Sequence, residues 1–102
     1  MRVALLCPDL LFGSKVAGAL RAAGHEVVAA EGPADALVVD LTSEVDERLR
    51  AATAADVPVV AFYSHVEQDT RARADEAGFD LVVPRSRMAR EMGALVDKLA
   101  PA

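Results

Sequence analysis

The chain has 102 residues, of which 53% are hydrophobic and 26% charged, the composition of one globular domain with a single core rather than of a disordered segment. A net charge of -5 argues against a nucleic-acid surface, and the apolar runs fall far short of the ~20 residues that span a bilayer. One cysteine, Cys7, excludes an internal disulfide framework.

Val3 to Cys7 is a continuous apolar run closed by Pro8, the pattern of a central parallel strand buried on both faces. Phe12 to Ala23 reads as a helix. Val16, Ala19, Leu20 and Ala23 recur at spacings of three and four, and Gly24 offers a left-handed stop. His25 to Ala30 predicts a second strand and Ala36 to Leu41 a third. Ser43 is placed to cap a helix running to about Ala54, with Val45, Leu49 and Ala52 on its inner face. Val57 to Tyr63 predicts a fourth strand, and Glu67 to Ala77 a polar helix ended by Gly78. Leu81 to Val83 is a short fifth strand. Ser86 is placed to cap the last helix, striped by Met88, Met92, Leu95, Val96 and Leu99.

Strands alternating with helices imply right-handed crossovers and a doubly wound parallel sheet. One connection is short. Five residues, Glu31 to Asp35, separate the second and third strands, whereas a parallel crossover normally takes a dozen or more. Either an extended segment crosses the sheet face where a helix is missing, or the two strands form an antiparallel hairpin. The regular pattern elsewhere favours the extended crossing. Part of one sheet face is then expected to lack cover, and a homodimer is expected to bury it.

In such sheets ligands and chemistry gather at the carboxyl ends of the strands. Asp40 ends the third apolar run, so it is a candidate phosphate acceptor or metal ligand, or else an Asp that caps the next turn. Asp9 is a weak metal-ligand candidate, or the start of the turn into the first helix. Cys7, at a strand end, reads as a small buried hydrophobe. Ser64, Arg85 and Ser86 are phosphate- or anion-binding candidates. Arg85 and Arg87 at a helix start oppose the dipole, so they need an anion or a carboxylate such as Asp9 or Asp80. His65 reads as a surface or capping residue. Leu10, Leu11 and Phe12 form an apolar rim, a candidate partner surface or a staple onto the first helix. No nucleophile–base pair is visible, so no enzyme is expected. With no signal-peptide layout at the start, the protein is expected in the cytoplasm.

The order of elements resembles the receiver domain of bacterial response regulators, a flavodoxin-like α/β fold with strand order 2-1-3-4-5. The strongest stretch is Val57-Pro58-Val59-Val60-Ala61-Phe62-Tyr63-Ser64, then the helix ending Glu76-Ala77-Gly78-Phe79-Asp80. The resemblance makes Asp40 the equivalent of the phosphoacceptor and Ser64 the hydroxyl that contacts the phosphoryl group. Receivers hold Mg²⁺ with an acidic pair where this chain has Cys7-Pro8. They carry a Lys where it has Pro84, with Arg85 next, and an aromatic switch residue where it has Leu81. The chain is therefore similar to pseudo-receivers. The resemblance implies a stand-alone two-component signalling protein that works by contact with a protein partner. Weak or absent Mg²⁺ binding is expected, and phosphorylation at Asp40 is not favoured. The alternative is a small-ligand or anion-binding module without catalysis.

Overall fold

The computed structural model describes residues 1–30, 32–64 and 66–99. The elements follow in the order β1 (Arg2–Leu6), α1 (Leu10–Ala22), β2 (Glu26–Ala29), β3 (Ala36–Asp40), α2 (Val45–Ala54), β4 (Val59–Tyr63), α3 (Gln68–Glu76), β5 (Leu81–Pro84) and α4 (Arg85–Asp97). All five strands are parallel, in the flavodoxin-like order β2-β1-β3-β4-β5. β3 and β4 are buried at every position, which is why their sequences are unbroken apolar runs rather than alternating ones.

The two faces of the sheet are covered differently. On one face Val3, Val38, Val60, Phe62 and Val83 pack against Phe12, Val16 and Leu20 of α1 and Met88, Met92, Leu95 and Val96 of α4. The predicted last-helix stripe is the inner face of α4. On the other face Leu37, Val39, Leu41, Ala61 and Tyr63 pack with Ala52 of α2 and Ala74 of α3, and the partly buried Leu49, Val57 and Phe79 pack against them. That face also receives the short connection. β1 pairs in parallel with both β2 and β3, so the connection crosses the face and is no hairpin. Ala34 packs onto this second core, and Ala4 and Leu37 beneath it are only 3% and 2% exposed. The expectation of a bare apolar face is therefore corrected. Small side chains at Ala4, Ala30 and Ala34 let the short connection lie close to the sheet, where a cleft of about 320 Å³ remains.

The helix starts differ from expectation for local reasons. α1 begins two residues early, at Leu10, because the Asp9 carboxylate accepts a hydrogen bond from the Phe12 N–H at 3.0 Å. Gly13 lets this first turn approach β1, since a Cβ there would sit 3.2 Å from the Cys7 carbonyl oxygen. Ser43 does not cap α2. Glu44 precedes that helix in the left-handed region, at φ +50°. α4 starts directly from β5 at Arg85, so Ser86 lies inside its first turn instead of capping it. Among the described residues no helix is long and apolar enough to cross a membrane.

Candidate functional site

The carboxyl ends of β1, β3, β4 and β5 open at one end of the sheet, and Asp40 lies at their centre. It is 3% exposed, and its carboxylate is occupied by the protein itself. Oδ1 accepts from the Thr42 N–H at 2.7 Å and from the Thr42 hydroxyl at 2.5 Å. Oδ2 accepts a weak contact from the Cys7 thiol at 3.7 Å. Beneath it lies Arg48, only 7% exposed. Arg48 Nη1 is 3.9 Å from Asp40 Oδ2 and donates to the Asp40 carbonyl at 3.1 Å. The same nitrogen lies 2.8 Å from the Ser43 carbonyl and 3.1 Å from the Ser43 hydroxyl oxygen.

Arg48 is the residue that sequence reasoning passed over. The inner face of α2 is read from Val45, Leu49 and Ala52, yet Arg48 is three residues after the first and four before the last. It shares their face. In the structure the buried positions of α2 are Arg48 and Ala52. The signal was present: a charge at an inward helical position demands a buried counter-charge, and Asp40 stands eight residues earlier. The left-handed Glu44 shapes the turn that folds Arg48 back beneath the strand end, a conformation that costs a non-glycine residue about 1 kcal/mol.

The groups around Asp40 do not fit a Mg²⁺ site. Mg²⁺ takes oxygen ligands in octahedral geometry. Cys7 presents a thiol whose pKa burial, and then the charge of Asp40, push up to about 11, so it is neutral and donates. Asp9 Oδ1 caps α1, and its Oδ2 faces Arg85 at 3.4 Å. Among the described residues no group of three His, Cys, Asp or Glu side chains comes together to hold a metal ion.

The anion candidates collect on the other side of the same rim. Phe12, Thr42, Ser64, Arg85, Ser86 and Ala89 line one cleft of about 660 Å³. The Arg85 guanidinium lies over the Phe12 ring, 4.3 Å from its centroid. The Phe12 ring in turn packs on Phe62 at 5.1 Å. Asp9 is the carboxylate that answers Arg85, while Arg87 pairs with Glu91 along α4. Asp80 serves elsewhere, accepting from the Val59 N–H. The apolar rim divides. Leu10 and Leu11 are 85% and 88% exposed, whereas Phe12 is buried at 8% and belongs to the core. His65 lies outside the described residues.

No protein-family model matches the chain, and no curated protein sequence does. Solved structures do match the fold. A response regulator from Thermotoga maritima superposes with a TM-score of 0.72 at 18% identity, covering 96% of this chain and 95% of that one. The phosphorylated cyanobacterial phytochrome response regulator RcpA gives 0.75 at 14%, covering 96% and 92%. The Mn²⁺-bound form of the response regulator Rcp1 gives 0.71 at 12%, covering 95% and 89%. The fold is thus that of response-regulator receiver domains, as the order of elements implied.

Proposed function

We propose that the chain is a receiver-like signalling module that acts by protein–protein contact, with Asp40 retained as a structural anion rather than used as a phosphoacceptor. The observation that carries this reading is the Asp40–Arg48 pair. Phosphoryl transfer to a carboxylate works through positioning and through cations that neutralise the equatorial oxygens of the phosphoryl group. One of the fold neighbours is a phosphorylated regulator and another a Mn²⁺-bound one. In this chain the charge near the carboxylate is supplied from within, by a guanidinium held on backbone and hydroxyl oxygens. Thr42 takes up Oδ1. Among the described residues an incoming phosphodonor meets no free oxygen pair on Asp40 and no acidic ligand set to bring a metal.

With that chemistry set aside, the message passes through a surface. Leu10, Leu11 and Val66 are the exposed large apolar residues among those described, and Leu10 and Leu11 sit on the rim beside the old reaction centre. The proposal keeps the sequence-based expectation of a cytoplasmic protein whose partner is a protein and not a nucleic acid, in line with its net charge of -5. The homodimer expected from the sequence is kept in this proposal, but its contact moves from the covered sheet face to this rim. Light scattering at micromolar concentration tests it. The expected mass is twice that of the 10.7 kDa chain, unchanged by beryllofluoride and Mg²⁺, and halved in the double substitution Leu10→Asp and Leu11→Asp. A dimer that forms only with beryllofluoride and Mg²⁺ would show instead that Asp40 responds to phosphoryl chemistry.

A further inference from the structure

The cleft beside Arg85 has a composition that the signalling proposal does not use. Its volume of about 660 Å³ is twice the 330 Å³ of the cleft between α2 and the end of α3, and it lies in the size range of small-molecule sites. Among the described residues its walls hold one guanidinium, three hydroxyls and two apolar faces, with no carboxylate. In a chain of net charge -5 that is a local reversal of sign. Its polar groups are also under-used. The hydroxyls of Ser64 and Ser86 have no hydrogen-bond partner among the described residues. Arg85 is fixed in place over Phe12 but spends only one loose contact, at 3.4 Å, on a half-exposed Asp9. The first turn of α4 has no capping side chain and no acidic residue, so its N–H groups stay open on the side where Ser86 lines the cleft.

We propose that this cleft binds a small phosphate monoester without covalent transfer. Arg85, Ser64 and Ser86 hold the phosphate, and Phe12 and Ala89 face the organic part. The count of donors selects the ligand. A guanidinium fork, two free hydroxyls and the N–H groups of a helix start exceed what the two oxygens of a carboxylate can accept, and suit the three terminal oxygens of a phosphate. Asp40 takes no part, because it does not line the cleft and its own oxygens are occupied. This inference stands apart from the rim contact, which light scattering reads separately.

The test is a titration of the ¹⁵N-labelled full chain, followed by amide shifts, with three probes: inorganic phosphate, adenosine monophosphate and adenosine. Adenosine monophosphate is expected to move Ser64, Arg85, Ser86 and Ala89, at concentrations about tenfold below those at which phosphate does, with adenosine silent. Arg85→Gln removes the charge-assisted fork and is expected to weaken binding about tenfold or more. Asp9→Asn preserves the cap of α1 while removing the carboxylate that competes for Arg85, so it is expected to tighten binding severalfold. A merely structural Asp9 would not do that. The proposal is overturned if no probe shifts these amides up to about 10 mM, if Arg85→Gln leaves the affinity unchanged, or if Asp9→Asn weakens it. Equal affinity for phosphate and adenosine monophosphate would overturn the monoester and leave free phosphate as the occupant.

Discussion

Two arginines stand at the same end of the sheet and are used in opposite ways. Arg48 is buried, and its partners are an acid, two carbonyls and a hydroxyl of its own chain. Arg85 is half-exposed, stacked on Phe12, and loosely paired. Around Arg48 the site is closed by internal satisfaction. Around Arg85 it remains open, with two hydroxyls that have no partner among the described residues and a helix start without a capping side chain. On the proposed reading the half of the rim that holds Asp40 is structural, and the half around Arg85 is the binding surface. Sequence likeness to an acceptor position does not by itself give an acceptor, because the neighbours decide whether its oxygens are free.

The comparison predicts unequal costs for the same substitution. Arg48→Ala leaves a buried carboxylate without its counter-charge, and breaking such pairs costs about 3–5 kcal/mol. Arg85→Ala removes an exposed contact and a cation–π stack, worth about 1 kcal/mol together. Urea denaturation of both variants checks this. Equal losses would erase the distinction. Adding Asp40→Asn to Arg48→Ala is expected to recover part of the loss, since it removes the stranded charge.

A smaller difference is expected at the hydroxyls. Thr42→Val deprives Asp40 Oδ1 of a short hydrogen bond and should cost about 1–2 kcal/mol. Ser86→Ala, whose hydroxyl has no partner among the described residues, should leave stability within about 0.5 kcal/mol.

The smallest effect concerns Cys7. Its thiol pKa rises from 9.0 to about 11, so below pH 9 both folded and unfolded chains hold the proton and the contribution is fully present. As the pH rises from 9 to 11 the unfolded chain ionises first, and stability falls across that window. The thiol is only half-buried, so solvent screening keeps the loss below about 1 kcal/mol. Cys7→Ser should flatten this alkaline slope. At pH 8 the folded thiol should react with a disulfide reagent on the order of 100-fold more slowly than an unperturbed one. Asp40→Asn should restore part of the rate.

The sheet was legible because β3 and β4 are continuous apolar runs, Gly24 and Gly78 follow the ends of α1 and α3, and α4 carries its stripe from Met88 to Val96. The helix starts were less so. The left-handed turn at Glu44 displaced the expected Ser43 cap, and the direct step from Pro84 to Arg85 displaced the Ser86 cap. Both are backbone events with no side-chain signature. The cover of the second sheet face was misjudged because alanines look uninformative in sequence, yet Ala4, Ala30 and Ala34 are what let the chain lie close. At the site, Asp40 and the cleft residues were legible as positions. What was not legible was saturation, which needs Thr42 and Arg48 in three dimensions. The spacing of Val45, Arg48 and Ala52 was the one linear clue to it.

Intact-mass measurement after treatment with acetyl phosphate or phosphoramidate, with Mg²⁺ present, tests the closed state of Asp40 most directly. The account predicts that the chain keeps its unmodified mass over hours, and that Arg48→Ala does not gain a phosphoryl group, because Thr42 still occupies Oδ1 and the acidic metal pair is still missing. Rapid, stoichiometric addition of one phosphoryl group that disappears in Asp40→Asn would contradict it.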